Sequence, residues 1–318
     1  MSAVAAVQAE EPNILDRLRR SVQSALEGKD DVVELALVAM LSRGHLLVED
    51  VPGVGKTTLA RALSTAMGGE LRRVQFTSDM LPSDILGVSV YNQRTSEFVF
   101  KQGPIFANVL LADEINRASP RTQSSLLEAM NEGQVSIDGQ TMPLPDPFFV
   151  IATQNPQDFS GTYPLPESQL DRFVLRTRIG YPPPQVEMRL LVEGRTERMG
   201  SPVLDPASLV ALQREAYRVT LDPALAGYVH AIVQSTRTSP ALSLGASPRG
   251  SLALVHAARA RALLRGRKFC IADDIQELVV PVLSHRIRLA TANEGFAPTR
   301  EETEAVLRDL TSRIPVPI

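Results

Sequence analysis

Short runs of consecutive apolar residues alternate with helical patterns along the first half of the chain. The apolar runs predict strands at 45–49, 73–77, 108–112, 148–152 and 173–179. Consecutive apolar residues are typical of strands that are covered on both faces. Helical patterns fill the gaps, notably at 31–43, 56–67 and 120–132. This order predicts an α/β fold, in which a parallel sheet has helices on both of its faces.

Two segments of the first half do not fit a minimal parallel sheet. Residues 84–102 contain two short apolar stretches on either side of a polar turn, and residues 134–143 contain a turn at Asp138-Gly139. Asp followed by Gly between two extended stretches is a strong signal for a hairpin. We therefore expect a β-hairpin in each of the two inserts.

A run of three prolines after Tyr181 separates the first half from the second. Proline has no backbone N–H to donate to a strand ladder, so this run marks a linker. We expect residues 1–181 to form the α/β core with its two hairpin inserts. Residues 182–318 are then expected to form a separate, smaller domain.

The second half shows repeated start signals for helices. A capping residue followed by proline occurs at Asp205, Asp222 and Ser247, and this pair suits the first turn of a helix. Thr299 and Glu302 have the spacing of a capping box for a last helix that ends near residue 311. The pattern predicts a small all-helical domain.

Charge and cysteine content narrow the possible partners and compartments. The chain has 36 acidic and 33 basic residues, so it presents no broad basic field for nucleic acid phosphates. Its single cysteine, Cys270, cannot form an internal disulfide, which favours a reducing compartment. Residues 1–12 lack the pattern of a leader, and no segment reaches the ~20 apolar residues of a membrane span. The sequence predicts a cytoplasmic protein without a membrane span.

A glycine-containing loop connects the first predicted strand to a helix. The loop and the first helical residues are Asp50, Val51, Pro52, Gly53, Val54, Gly55, Lys56, Thr57 and Thr58. Such a loop directs backbone N–H groups and the positive helix end at phosphate oxygens, while Lys56 reaches the β and γ phosphates and Thr57 offers a hydroxyl to Mg²⁺. Asp50 departs from the pattern, which begins with glycine. Gly-Lys-Thr can also be an ordinary loop, but its place between a strand and a helix favours phosphate binding.

The apolar strand at 108–112 ends in Asp113-Glu114. This arrangement, called Walker B, places one acid on the Mg²⁺ shell and a second where it can polarise an attacking water. An acidic pair at a strand end can also be no more than a polar exit into a loop. The separation of Asp113-Glu114 from Lys56 favours the metal and base roles, with Thr57 and Asp113 as the metal ligands.

The strand at 148–152 is followed by Asn155, which precedes a proline. Its amide could orient the lytic water or touch the γ-phosphate, the role named sensor 1. A turn residue before proline is the alternative interpretation. The order of the strands favours the sensor role.

Eight segments together resemble the MoxR family of AAA+ ATPases. They are 49–57 (Glu-Asp-Val-Pro-Gly-Val-Gly-Lys-Thr), 103–104 (Gly-Pro), 113–118 (Asp-Glu-Ile-Asn-Arg-Ala), 152–156 (Ala-Thr-Gln-Asn-Pro), 161–167 (Gly-Thr-Tyr-Pro-Leu-Pro-Glu), 170–173 (Leu-Asp-Arg-Phe), 245–249 (Gly-Ala-Ser-Pro-Arg) and 283–287 (Leu-Ser-His-Arg-Ile). The resemblance covers about 14–313 and rests on the order and spacing of these segments.

The resemblance implies a P-loop NTPase core of the AAA+ type with a helical lid, binding ATP and Mg²⁺ at the seam between subunits of a ring. It makes Arg172 a candidate arginine finger that projects into the neighbouring subunit's site, although an ion pair with Asp171 or a nearby acid is the alternative. It makes Arg249 a candidate sensor 2, although arginine is common on lid helices. The ring of identical subunits is expected to be hexameric.

Three hypotheses describe what ATP hydrolysis would do. The resemblance implies a chaperone-like remodeller or activator of client proteins, often ones with a von Willebrand factor A domain. A nucleic-acid translocase is the second hypothesis, but residues 134–141 contain Asp138 and no Lys or Arg. A nucleotide-gated scaffold without catalysis is the third, and the presence of Lys56, Asp113, Glu114 and Arg172 argues against it.

Overall fold

The computed structural model describes residues 13–156, 161–194, 200–291 and 299–317. The segment 1–12, on which the expectation about a leader rests, lies outside them. None of the helices within the described ranges has the length and apolar character needed to cross a membrane.

The centre of the molecule is a five-stranded parallel sheet. Its strands are β1 (Leu46–Glu49), β2 (Leu71–Gln75), β5 (Val109–Asp113), β8 (Phe149–Gln154) and β9 (Leu175–Thr177). They lie in the order β2-β5-β8-β1-β9 and all neighbouring pairs are parallel. The predicted α/β fold is confirmed, and every predicted strand overlaps an observed one.

Two hydrophobic clusters cover the two faces of this sheet. Along β5, Val109 and Leu111 pack into one cluster, while Leu110 and Ala112 pack into the other. This division explains the consecutive apolar residues of the sequence, because both faces of each strand must be apolar when both are covered. The first cluster continues into the C-terminal helices, so one core joins the two halves of the chain.

The described part of the first half contains six helices. They are α1 (Ile14–Ala25), α2 (Asp30–Leu41), α3 (Lys56–Ala66), α4 (Pro82–Leu86), α5 (Pro120–Glu132) and α6 (Glu167–Leu170). Most of α2 is buried because it packs against α1 and against two helices of the C-terminal half. A single 3-10 turn, Ile115–Arg117, follows β5.

Both predicted hairpins are present. The first consists of β3 (Gly87–Asn92) and β4 (Glu97–Gln102), and the second of β6 (Gln134–Ile137) and β7 (Gln140–Pro143). Asp138 and Gly139 have φ angles of 52° and 77°. Positive φ at both central residues matches the right-handed twist of the strands, which is why this dipeptide favours a tight hairpin.

The C-terminal half is mainly helical. Its helices are α7 (Pro184–Glu193), α8 (Pro206–Arg218), α9 (Pro223–Thr238), α10 (Pro248–Leu264), α11 (Ala272–Leu283) and α12 (Arg300–Ser312). Asp205, Asp222 and Ser247 cap α8, α9 and α10, and Thr299 with Glu302 forms the predicted capping box of α12. The structure adds a two-stranded antiparallel pair, β10 (Leu242–Leu244) with β11 (Arg288–Leu289), that the sequence pattern did not predict.

Candidate active site

A cavity of about 410 Å³ lies at the carboxyl ends of β1, β5 and β8. The loop after β1 contributes Pro52, Gly53, Val54, Gly55, Lys56, Thr57 and Thr58 to its lining. Asp113, Glu114 and Asn155 line the same cavity. The fold brings these groups together because β8 lies between β1 and β5, so the ends of the three strands are neighbours.

The loop closes on the first turn of α3 through glycine. Gly55 has a φ of 103° and stands at the N-cap of α3, where no side chain caps the helix. A Cβ at Gly55 would lie 3.1 Å from Leu26, so a larger residue would be both strained and crowded. The free N–H groups of the first turn therefore remain available to an anion in the cavity.

The ammonium group of Lys56 is half-buried at the centre of this site. Its Nζ donates a hydrogen bond to the carbonyl oxygen of Asp50 at 2.5 Å. Burial lowers the pKa of Lys56, while the charges of Asp50, Asp113 and Glu114 raise it. A cation held between the loop and the two acidic residues is suited to bind the outer phosphates of a nucleotide.

The Asp113 carboxylate is fixed by two partners. Its Oδ1 accepts a hydrogen bond from the Thr153 hydroxyl at 3.0 Å, and its Oδ2 accepts one from Nε of Arg73 at 2.7 Å. Arg73 is a residue of β2 that also lines the cavity. Arg73 was not predicted, because no local motif marks it and only the pairing of β2 with β5 places it beside Asp113.

Glu114 has an unusual backbone conformation. Its φ and ψ are 55° and 49°, in the left-handed region that residues other than glycine rarely occupy. The backbone N–H of Glu114 donates to the Thr153 hydroxyl at 2.9 Å, and Arg117 lies 3.1 Å from the Glu114 carboxylate. Such strain clusters at functional sites, where the surrounding structure holds a side chain in a set direction.

Asp50 is turned away from the cavity. Its buried carboxylate accepts hydrogen bonds from the backbone N–H groups of Val51, Ile179 and Gly180 at 2.8, 2.7 and 2.6 Å. Among the described residues, neither Asp50 nor Val51 belongs to the cavity lining. The acid at the start of the loop thus joins β1 to the segment that follows β9. The cofactor contact predicted for Asp50 remains a prediction.

The side chains that line the cavity fit a magnesium ion. Thr57 offers a hydroxyl and Asp113 a carboxylate, and Mg²⁺ is bound by one or two carboxylates together with substrate phosphates. Within the described ranges, no group of three or more His, Cys, Asp and Glu side chains could form an all-protein metal cage. A metal in this cavity would thus depend on the nucleotide for further oxygen ligands.

Arg172 and Arg249 lie outside the cavity lining, within the part of the chain that the structure describes. Nη1 of Arg172 donates to the carbonyl oxygen of Leu127 in α5, and none of the ion pairs between described residues includes Arg172. The ion pair between Arg172 and Asp171 that sequence analysis left open is therefore not found there. Arg249 is exposed near the start of α10.

Two further segments enclose the cavity and were not predicted. The end of α1 and the turn after it contribute Ser24, Ala25, Leu26, Glu27 and Lys29, and the C-terminal half contributes Pro182, Val186, Arg189, Leu190, Glu193 and Gly194. An ion pair between Arg189 and Glu27 joins the two segments. The triple proline before α7 was the only sequence signal near this wall, and it indicated a linker and no contact.

The fold and the site define a P-loop ATPase of the AAA type. The family model described as ATPase family associated with various cellular activities (AAA) matches residues 45–175, and the AAA lid domain matches residues 234–310. Chaperone MoxR1 of Mycobacterium tuberculosis is 43% identical over 88% of this chain and 77% of its own. The chain belongs to the MoxR family of AAA+ ATPases, and its activity is the hydrolysis of ATP.

Two other similarities extend over almost the full length. The uncharacterised protein YeaC of Bacillus subtilis is 47% identical over 96% of this chain and 95% of its own. A crystal structure of a candidate ATPase from Cytophaga hutchinsonii matches with a TM-score of 0.86 and 31% identity, over 96% of both chains. The similarity therefore includes the C-terminal helices as well as the sheet.

Proposed function

We propose that the protein hydrolyses Mg-ATP at sites shared between neighbouring subunits of a hexameric ring, and that the ring remodels or activates client proteins. One observation carries this proposal. The cavity joins Lys56, Asp113, Glu114 and Asn155, while Arg172 lies outside it. A site with every expected group except its arginine is what a composite site between two subunits requires.

Each side chain of the cavity has a proposed part in the reaction. Lys56 binds the β and γ phosphates, and Glu114 accepts a proton from the attacking water. Asn155 orients that water or the γ-phosphate. Thr57 and Asp113 would hold Mg²⁺, which neutralises charge that develops on the phosphate oxygens.

We propose that Arg172 and Arg249 act on the site of the neighbouring subunit. The Asp171 carboxylate accepts a hydrogen bond from the Ser247 hydroxyl at 2.9 Å. Arg172 is the next residue after Asp171, and Arg249 lies two residues after Ser247, so both arginines are near this contact. Two arginines that lie near one contact and outside the lining of their own cavity can approach a second site together. An arginine finger supplied in this way is worth about 10³- to 10⁵-fold in rate.

The client is proposed to be a protein. A relative that is 43% identical is named a chaperone. The β3–β4 hairpin exposes apolar side chains, among them Tyr91 and Phe98, whose rings lie 5.3 Å apart. An apolar exposed hairpin suits contact with polypeptide. A client with a von Willebrand factor A domain, implied by the family resemblance, is the first to test.

The expected organisation and location remain part of the proposal. A boundary near residue 181 is supported by Asp50, which binds the backbone of Ile179 and Gly180 just before the triple proline. The lid would then consist of α7 to α12 with the β10–β11 pair. The cytoplasmic location, which was predicted from cysteine usage, also remains a proposal.

The first test measures ATP turnover and nucleotide binding separately. We expect Mg²⁺-dependent release of phosphate that EDTA abolishes, loss of binding in Lys56→Ala, and binding without turnover in Glu114→Gln. A fluorescent ATP analogue reports binding, and Glu128→Gln, a carboxylate outside the cavity lining, serves as the matched control. Full ATPase activity in Glu114→Gln would remove Glu114 as the base.

The second test asks whether the sites are shared. Arg172→Ala subunits retain the cavity but lack the arginine, whereas Lys56→Ala subunits retain the arginine but lack a working cavity. Mixing the two inactive proteins should restore part of the activity, because one intact composite site can form in each mixed pair. Absence of recovery at every mixing ratio would contradict sharing between subunits.

The third test identifies the class of client. Glu114→Gln protein loaded with ATP should retain a purified von Willebrand factor A domain client better than the same protein loaded with ADP. Tight binding of DNA or RNA in its place, with affinity that falls steeply with salt, would instead support the translocase hypothesis.

A further inference from the structure

A buried junction between the sheet and the C-terminal helices is built around Asp171. The Asp171 Oδ1 accepts a hydrogen bond from Nε of Arg286 at 2.6 Å, and its Oδ2 accepts one from the Ser247 hydroxyl at 2.9 Å. Asp171 immediately precedes Arg172, while Ser247 is the N-cap of α10. We call Asp171, Ser247 and Arg286 the Asp171 junction.

The Arg286 side chain is almost fully buried in this junction. Its Nη2 donates to the carbonyl oxygens of Phe173 and Asp171 at 2.7 and 3.1 Å, and its Nη1 donates to that of Val174 at 3.2 Å and to that of Val282 in α11. One guanidinium thus holds the backbone on both sides of Arg172 and the last turn of α11. Burial lowers the pKa of Arg286, and the hydrogen bond to Asp171 raises it.

Ser247 extends the junction into α10. Its hydroxyl donates to Asp171 and accepts the backbone N–H of Gly250 at 3.2 Å, so it links the carboxylate to the first turn of the helix. Arg249 lies in that same turn. Asp171 therefore connects the two arginines. It immediately precedes Arg172 in the chain, and the hydrogen bond to its carboxylate comes from Ser247 in the helix turn that contains Arg249.

We propose that Asp171 is a positioning residue that sets Arg172 and Arg249 as one rigid pair for the site of the neighbouring subunit. The inference rests on the shared site proposed above. In this role the Asp171 junction does more than stabilise the fold, because a shift of α10 moves Arg172 and Arg249 together. Transition-state stabilisation depends on placement, and a displacement of about 1 Å can reduce a rate ~100-fold.

The alternative is a junction that only stabilises the fold. A buried ion pair does not by itself show which role applies, because apolar residues of similar volume can often replace such a pair without loss of stability. The two interpretations differ in where the defect of a variant occurs. A purely structural role affects the subunit that carries the substitution, whereas a positioning role affects the site of its neighbour.

Two variants and one control separate these interpretations. Asp171→Asn removes the charge from the junction. Ser247→Gly removes only the link to α10, and it preserves the helix start because glycine is nearly as good an N-cap as serine. Glu167→Gln is the control, because Glu167 is a more exposed carboxylate on the same segment that lies 3.5 Å from Arg288.

We expect Asp171→Asn to lower kcat by about 10- to 100-fold, with Ser247→Gly changed in the same direction and less. Binding of a fluorescent ATP analogue, KM and ring assembly should stay as in the unmodified protein and in Glu167→Gln. If Asp171→Asn does not fold, Ser247→Gly alone decides the question. Unchanged kcat in Ser247→Gly, or a loss of nucleotide binding in either folded variant, would overturn the proposal.

Subunit mixing supplies the decisive readout. Asp171→Asn subunits keep an intact cavity, and Lys56→Ala subunits can supply correctly positioned arginines to that cavity. If Asp171→Asn does not fold, Ser247→Gly subunits take its place in the mixture. The mixture should therefore regain activity, as the mixture of Arg172→Ala with Lys56→Ala does. Lys56→Ala subunits could restore activity to Arg172→Ala subunits and yet fail to restore it to the junction variant. That result would overturn the positioning role and leave the shared site in place. No recovery in either mixture would refute the shared site itself, and the inference with it.

Discussion

The Thr153 hydroxyl donates a hydrogen bond to the Oδ1 of Asp113 at 3.0 Å. The same hydroxyl accepts the backbone N–H of Glu114 at 2.9 Å, and Thr153 is buried in the sheet at the end of β8. One oxygen on the neighbouring strand thus fixes both acidic residues of the site. It also satisfies the N–H that the left-handed backbone of Glu114 directs inward.

Replacement of Thr153 by valine should therefore impair catalysis more than binding. Thr153→Val keeps the shape of the side chain but leaves a buried N–H and a carboxylate oxygen without their partner. We expect kcat to fall by about 10- to 100-fold, because Glu114 and Asp113 lose their set directions. Steady-state ATPase assays measure this loss.

Thr153→Ser is the matched control, because it retains the hydroxyl and removes only a methyl group. It should keep kcat near that of the unmodified protein. Fluorescence titration with a nucleotide analogue should show binding in both variants. Equal activity of Thr153→Val and Thr153→Ser would show that the hydroxyl does not orient the acids.

Asp50→Gly would introduce the glycine with which the loop pattern usually begins, yet we expect it to lower the stability of the folded protein. The Asp50 carboxylate accepts three backbone hydrogen bonds, two of them from Ile179 and Gly180 before the linker. Their loss should cost about 3 kcal/mol of unfolding free energy, since buried groups would lose a charged acceptor. Chemical denaturation measures this change, with Asp50→Asn as an intermediate case.

The same substitution should also weaken nucleotide binding, because the backbone whose carbonyl oxygen accepts the Lys56 hydrogen bond would lose the carboxylate contacts that hold it in place. Tighter ATP binding or raised stability in Asp50→Gly would show that the acid is merely tolerated in the loop.

His45 should make stability depend on pH below neutrality. Its Nδ1 accepts the N–H of Val150 at 3.1 Å and its Nε2 lies 3.1 Å from the Met130 carbonyl oxygen, and burial lowers its pKa to about 4. Between pH 6.5 and 4 the unfolded chain binds a proton that the folded chain does not. Stability is therefore full above about pH 6.5 and is lost as the pH falls toward about 4, by at most about 3 kcal/mol.

His45→Gln tests this contribution, because glutamine can hydrogen-bond and does not titrate in that range. The loss of stability caused by the substitution should be largest near about pH 7 and should shrink toward about pH 5, as measured by urea unfolding at both values. Parallel pH profiles for the two proteins would exclude His45 as the source.

Cys270 should be unreactive in the native protein. Burial raises the pKa of its thiol to about 11, helped by the charge of Asp274, so little thiolate exists at about pH 8. Since the thiolate is the reacting species, we expect labelling by a disulfide reagent to be at least about 100-fold slower than in the unfolded chain. Cys270→Ser gives the blank, and rapid labelling of the folded protein would contradict the prediction.

Local signals in the sequence predicted the strands of the sheet, both hairpins and several of the helices. The strands were predicted from short apolar runs, which are clearest in β5 and β8, and α8, α9, α10 and α12 were predicted because a capping residue precedes each one. The Asp138-Gly139 hairpin and the loop around Lys56 were predicted from turn and loop residues. Each of these signals lies within a few neighbouring residues, so a linear pattern contains it.

The lateral order of the strands in the sheet has no local signal in the sequence. Asp113 and Asn155 line a shared cavity because β5 and β8 pair directly, and the loop around Lys56 joins them because β1 lies on the other side of β8. Arg73 had no signal at all, since an arginine in a strand acquires meaning only from the strand beside it. The wall formed by α1 and α7 was likewise missed, because it joins segments that are far apart in the chain, as the ion pair of Glu27 with Arg189 does across 162 residues.

What the sequence determined by itself was the class of fold, the helix starts and the phosphate loop, because short-range sterics, capping and apolar periodicity specify them. Only the tertiary structure decided that Asp50 faces the backbone that follows β9, that Thr153 holds both acids, and that Asp171 joins Ser247 to Arg286. A side chain's partner depends on which distant backbone the packed core brings within about 3 Å. Asp171 and Arg286, for example, are 115 residues apart in the chain.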